Sequence, residues 1–153
     1  MRIGSGNDIH RLVPGRKLVL GGFTIPSEKG EDGHSDGDVL IHAIIDAIFG
    51  ATANGDIGSH YPPSDMRYKD ISSIELLKDA LSISNCNIIN LDSTIILQTP
   101  KLRPYIDEIR QSLASIMGLQ LSQVSVKAKT AEHILGEFGT GDAIFASATI
   151  LID

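Results

Sequence analysis

His34-Ser35-Asp36-Gly37-Asp38-Val39-Leu40-Ile41-His42 joins a polar, glycine-containing entry to an apolar run that continues to Gly50. Apolar residues recur as Leu40, Ala43, Ile44, Ala47 and Ile48, with Ile41 and Ile45 widening the stripe, which is the spacing of a helix buried on most sides. Ser35-x-x-Asp38 has the form of a capping box, so the helix is expected to begin at Ser35 or Asp36 and to close at Gly50. Asp38, His42 and Asp46 recur every four residues and form one polar line on that helix. A histidine on an apolar helix is more often a satisfied core residue than a ligand. Carboxylates one turn above and below His42 keep a metal or catalytic reading open, since buried charge needs compensation that a cation supplies.

Working outward, Arg2 to Val13 reads as an extended segment, and Asp8 and His10 fall on one face of it with Ile9 on the other. That pair is either a bidentate arm or the solvated face of an edge strand. Pro14-Gly15 marks a turn, Lys17–Leu20 and Phe23–Ile25 a short hairpin, and Glu28–Gly33 an exposed loop. Beyond the helix, Asn54-Gly55-Asp56-Ile57-Gly58 carries turn chemistry and Tyr61–Asp65 continues an irregular loop. Ser72-x-x-Glu75 caps a second helix running to about Ser84, with Ile74, Leu77 and Leu81 as its core face. Ile88–Leu97 is a strand, and Pro104 opens a third helix through Met117, closed by Gly118. Val124–Thr130 is a strand, Gly136–Gly141 is glycine-rich, and a last strand runs from about Asp142 to Ile152.

This order predicts an α+β fold, a single-layer mixed β-sheet with helices packed on one face, in one domain spanning residues 1–153. A sheet covered on one face only points to oligomerisation.

Composition narrows the function. With 42% hydrophobic and 21% charged residues the chain matches a soluble globular protein, and the longest apolar stretch is too short and too interrupted to cross a membrane. A net charge of -6, from 13 basic against 19 acidic residues, disfavours nucleic acid as a partner. The lone Cys86 permits neither an internal disulfide nor a thiolate cage, so a metal would need nitrogen and oxygen ligands, and an intracellular location is expected.

Two constellations could carry chemistry. Asp8, His10 and His42 supply a carboxylate and two imidazoles, three ligands with a position left for water or substrate, as in catalytic zinc sites. Pro100-Lys101-Leu102-Arg103 and Lys127-Ala128-Lys129-Thr130-Ala131-Glu132 offer cations, a hydroxyl and a carboxylate that could hold phosphates and a hard ion, or could be an ordinary charged strand edge. No Gly-x-x-x-x-Gly-Lys loop is present.

In order and spacing, Asp8-Ile9-His10, His34-Ser35-Asp36-Gly37-Asp38, His42, Gly55-Asp56-Ile57-Gly58, Pro100-Lys101 and Lys127-Ala128-Lys129-Thr130-x-Glu132 resemble the 2-C-methyl-D-erythritol 2,4-cyclodiphosphate synthases of the non-mevalonate isoprenoid pathway, nearly end to end. The resemblance implies a homotrimer with sites between subunits, in which the 2-phosphate of a CDP-alcohol attacks its β-phosphorus and expels CMP. It implies Zn2+, or another divalent transition metal, on Asp8, His10 and His42, and Mg2+ or Mn2+ placed by Glu132 on the diphosphate. His34 and Thr130 would stabilise the phosphates with help from Ser35. Asp56, Ile57 and Gly58, with Tyr61 and Asp65, would hold the erythritol portion. Leu97, Pro100, Lys101, Leu102 and Arg103, with Lys129, Thr130, Ala131 and Glu132, would form the cytidine pocket, and Phe138 would complete the binding residues. Asp46 would orient His42. The location would be bacterial cytoplasm, or plastid stroma after removal of a transit peptide. Departures from the pattern are Asn7, Pro63, Lys129, Thr140 and an extra residue around Gly136-Glu137-Phe138. The same metal set would also serve a phosphohydrolase with a metal-bound water, or a zinc-stabilised binding module without catalysis.

Overall fold

The long N-terminal segment becomes strand β1 (Arg2–Pro14), and its two neighbours come from opposite ends of the chain. β4 (Lys29–Asp32) pairs antiparallel with its C-terminal half and β7 (Ala143–Ile152) with most of its length. β5 (Ile88–Ile96) continues the sheet antiparallel to β7, and β6 (Val124–Lys129) adds to β5 in parallel, giving the order β4-β1-β7-β5-β6. β2 (Leu18–Leu20) and β3 (Phe23–Ile25) form a separate hairpin. The computed structural model describes residues 1–153, and the expected mixed sheet is present.

Three helices cover one face: α1 (Val39–Thr52), α3 (Ser73–Ser84) and α4 (Ile106–Met117), with single turns α2 (Ile57–His60) and α5 (Glu137–Thr140) in the loops. The register makes the sidedness explicit. Gly6, Ala148, Ser93 and Val126 form one row across the sheet, all buried. The next row, Asn7, Ser147, Thr94 and Lys127, has no buried member, because strand neighbours point to opposite faces. Helix α1 lies directly on β1. A Cβ at Gly6 would sit 2.6 Å from the Ala47 amide nitrogen, and one at Gly4 would sit 2.6 Å from that of Ala51, so the helix backbone rests where side chains would otherwise stand. Ten of the fourteen residues of α1 are buried, which explains a helix apolar on nearly every side.

Three local expectations are corrected. Glu28–Gly33 is not an exposed loop: Lys29–Asp32 is a strand, and Glu31 is fully buried because its backbone completes the edge of β1 while its carboxylate receives the Val39 amide of α1. Helix α1 starts at Val39 rather than Ser35 or Asp36, and its cap is Asp38, whose carboxylate accepts from the Ile41 amide. It also runs past Gly50 to Thr52, where Ala53 takes the left-handed conformation and the Ala53 and Asn54 amides return to Gly50 and Phe49. The Ser72 cap of α3 and the Gly118 end of α4 form as expected. No helix is long and apolar enough to cross a membrane.

Candidate active site

Two strand residues and one helix residue meet because α1 is seated on β1 without intervening side chains. Asp8 Oδ2 lies 3.0 Å from His10 Nε2 and 3.0 Å from His42 Nδ1, and one donor atom from each of the three lies within 4.8 Å of the others. The imidazoles meet edge to face with centroids 5.1 Å apart. Burial pushes the Asp8 carboxyl up, but hydrogen bonds from His10 and His42 outweigh it and hold the group well below the usual carboxylate range. Burial also opposes protonation of His10, and its contact with Asp8 overrides that and raises it.

One carboxylate oxygen and two imidazole nitrogens converging on a half-buried point suit Zn2+ or a similar divalent ion. The ring atoms facing away are already committed: His10 Nδ1 lies 2.7 Å from the Gly37 carbonyl, and His42 Nε2 lies 3.0 Å from Ser73 Oγ and 3.1 Å from Ser35 Oγ. A donor set whose outer nitrogens are held by other groups, and whose inner nitrogens face only the third ligand, Asp8, is the arrangement metal ligands need. The residues present therefore fit the ion.

His10, His34, Ser35, His42, Ile57, Gly58 and Tyr61 share one cavity of about 180 Å³. Its entry loop is held from both sides. Arg16 donates to the carbonyls of Glu31, Gly33 and Ser35, and the loop exchanges backbone bonds with the lead-in to α3, Asp70 to His34 and Asp36 to Ile71. His34 Nε2 is buried without a hydrogen-bond partner. The polar line expected on α1 divides. Asp38, fully buried, turns to the hairpin and accepts from the Gly21 and Gly22 amides; burial raises its pKa to about 6 against the lowering effect of those bonds. Asp46 does not hydrogen-bond His42. Its Oδ1 accepts from the Ile57 amide at 2.8 Å, so it secures the turn that lines the cavity, a correction to its expected role.

Leu97, Lys101, Leu102, Arg103, Lys129 and Thr130 line a second cavity, of about 370 Å³, between β6 and the lead-in to α4. Six of the nine expected cytidine residues thus share one cavity, whereas Pro100, in the cis peptide Thr99-Pro100, Ala131, buried just after β6, and Glu132 do not line it. Thr130 donates to Glu132, and Glu132 is exposed with a positive φ of 52°. The two cavities share no lining residue, so within one chain Glu132 and Thr130 do not join the Asp8 cluster. Asp56 caps α2 through the Ser59 amide, Asp65 is engaged by Arg67, and half-buried Phe138 lies in α5; none of the three lines either cavity. Sequence reasoning missed Arg16, Ser73 and Asp36. The only available signal for the last two was that His42 needs an outer partner; Ser73 read simply as part of a helix cap.

Comparison with known proteins agrees with this geometry. A 2-C-methyl-D-erythritol 2,4-cyclodiphosphate synthase of Laribacter hongkongensis is 52% identical over 155 residues, covering 99% of this chain and 95% of the relative. One of Moorella thermoacetica is 51% identical, covering 99% and 94%. Among solved structures, a 2C-methyl-D-erythritol-2,4-cyclodiphosphate synthase in a CDP-bound form superposes with a TM-score of 0.90 at 34% identity, over 99% of this chain and all of that one. The bifunctional IspDF of Campylobacter jejuni gives a TM-score of 0.92 at 36% identity, with 97% of this chain matching 41% of that longer one. The family model described as the YgbB family matches residues 1–153, and the chain belongs to that family.

Proposed function

We propose that the chain acts as one cyclodiphosphate synthase domain, converting 4-diphosphocytidyl-2-C-methyl-D-erythritol 2-phosphate to 2-C-methyl-D-erythritol 2,4-cyclodiphosphate and CMP. The observation that carries the reading is the Asp8, His10 and His42 cluster opening into the cavity that holds His34 and Ser35, on a chain 52% identical to a named synthase. An oxygen of the 2-phosphate attacks the β-phosphorus, the bond to the bridging oxygen of the α-phosphate breaks, and CMP departs with that oxygen. The attacking phosphate is ionised at neutral pH, so positioning and charge neutralisation suffice and no protein nucleophile is needed.

Asp8, His10 and His42 would hold Zn2+ and Glu132 would hold Mg2+ or Mn2+, and these ions would supply charge neutralisation for the substrate's phosphates. His34 and Ser35 orient the phosphates at the mouth of α1, and Ile57, Gly58 and Tyr61 enclose the erythritol portion with Asp56 and Asp65 behind them. Lys101, Arg103, Lys129 and Thr130 hold the diphosphate and nucleoside, with Leu97, Pro100, Leu102, Ala131 and Phe138 completing that side. One lysine- and arginine-bearing cavity and one metal-binding cavity on the same chain, with no shared wall, are two halves of a site completed between neighbouring copies. A homotrimer joined through the uncovered sheet face, where Ile3 and Ile9 are 70% and 57% exposed, supplies that completion. The free Cys86 and the bacterial relatives support work in the cytoplasm, or in the plastid stroma of a plastid-bearing cell.

Incubation with the CDP-alcohol 2-phosphate, with and without chelator, followed by phosphorus NMR, tests the reading. A cyclic diphosphate with stoichiometric CMP, lost on chelation, is expected; inorganic phosphate or an uncyclised product would refute it. His42→Ala is expected to stay folded and assembled but nearly inactive, whereas a zinc-stabilised binding module would lose its assembly.

A further inference from the structure

We propose that Ser73 and Asp36 are positioning residues that set the tautomer of His42, and that Ser73, not Ser35, is the residue responsible. The inference rests on the reading of Asp8, His10 and His42 as metal ligands. For His42 Nδ1 to offer a lone pair toward Asp8 and His10, its ring proton must sit on Nε2. Two hydroxyls face Nε2, Ser73 Oγ at 3.0 Å and Ser35 Oγ at 3.1 Å, and a hydroxyl can either donate or accept. What distinguishes them is their other partner.

Ser73 Oγ lies 2.5 Å from Asp36 Oδ1, and a carboxylate only accepts, so the Ser73 proton is committed to Asp36 and its oxygen can only accept from His42. Asp36 is itself fixed: Oδ1 also receives the Asp38 amide and Oδ2 the Ser73 amide at the start of α3. Ser73 is fully buried, out of contact with bulk solvent. The polarity of the chain Asp36–Ser73–His42 is thereby forced to one direction, with Nε2 protonated, which makes Nδ1, now in contact with Asp8 Oδ2 at 3.0 Å, the ring nitrogen that a metal would take. Ser35 has no carboxylate partner, only the Ser73 oxygen at 3.4 Å. Its Oγ accepts from the Gly37 amide, its own proton can turn between the Ser73 oxygen and His42 Nε2, and it lines the cavity.

Removing the Ser73 hydroxyl therefore does more than delete a contact. Ser35 can then donate to Nε2, which moves the ring proton to Nδ1, where Asp8 Oδ2 at 3.0 Å receives it and the ligand atom is blocked.

The test is zinc affinity, read by competition with a chromophoric chelator on the full chain. Ser73→Ala is expected to weaken zinc binding by about tenfold to a hundredfold, the range found when an outer-sphere partner of a metal-ligating histidine is lost. Ser35→Ala is expected to stay within about threefold of the parent, and Ser35→Ala added to Ser73→Ala to recover part of the lost affinity, because the competing donor is gone. A role for Ser73 in helix packing alone would give no such recovery. A second readout uses the zinc-loaded protein with nitrogen-15 histidine. The His42 Nε2 proton is expected to be observed and slow to exchange in the parent, and to exchange at least about tenfold faster in Ser73→Ala at equal zinc saturation. Zinc affinity of Ser73→Ala within threefold of the parent would overturn the assignment, as would a double variant weaker than Ser73→Ala alone. A parent protein that binds no zinc at all would overturn the metal reading itself and this inference with it.

Discussion

Substituting Gly6 by alanine isolates the contact on which the site depends. The added Cβ would stand 2.6 Å from the Ala47 amide nitrogen and 2.7 Å from Asp46 Cβ, with the Ala43 carbonyl closer still, where ordinary contact begins at 3.4 Å. These are backbone atoms of α1 or the first atom of its side chain, so no rotamer change relieves the overlap. The helix has to retreat from β1 by about 1 Å. His42 is the residue before Ala43 and moves with it, while Asp8 and His10 stay with the strand. Metal–ligand distances tolerate deviations of only about 0.2 Å, so the retreat exceeds the tolerance several-fold. Gly6→Ala is therefore expected to lower zinc affinity by at least about tenfold and global stability by roughly 1–3 kcal/mol, the usual cost of overpacking. Chelator competition and chemical denaturation of the metal-free protein measure the two effects separately, with Ser5→Ala on the uncovered face as a control expected to change neither. A folded Gly6→Ala protein with parental zinc affinity would show that α1 does not set the separation between strand and helix ligands.

Further outcomes follow from buried carboxyls away from the metal. Burial, reinforced by Asp38 and Asp36, raises the pKa of Glu31 well above the ordinary range, and Asp38 stands at about 6. Both groups hold protons in the folded state that the unfolded chain has already released, so stability present at low pH is lost as pH rises through the folded values. Metal-free protein is expected to melt at lower temperature at about pH 8 than at about pH 5, and Glu31→Gln to shrink that difference; an unchanged difference would exclude Glu31 as a source. Asp46→Ala removes the acceptor of the Ile57 amide and loosens one wall of the cavity. At about 1 kcal/mol for the lost bond, KM is expected to rise roughly fivefold with kcat little changed, and an unaltered KM would show that the turn holds without it.

Periodicity is legible in this chain wherever one face of an element is buried and the other is not. The Ile106–Met117 helix, the Ser72-capped helix and the alternating Val124–Lys129 strand all form where spacing puts them. It fails where a partner distant in sequence supplies the missing half of the pattern. Lys29–Asp32 is polar enough to read as a loop, yet pairing with Arg11–Pro14 makes it a strand and burial by α1 hides Glu31. Asp38 likewise reads as the closing residue of a capping box, because nothing local reveals that Gly21 and Gly22 offer it two amides.

By itself the sequence determined the kinds of donor available, the apolar helix that carries His42 and the strand parity that puts Asp8 and His10 on one side, since these follow from residue type and local geometry. Only the tertiary structure decided that Gly4 and Gly6 let α1 sit on β1 so that the three donors converge. It also decided that Asp46 serves Ile57 instead of His42, and that Ser73 and Asp36 stand behind the histidine. The physical reason is the same in each case: direction and distance between side chains on different elements depend on how closely the backbones approach, and that is set by packing across the whole core.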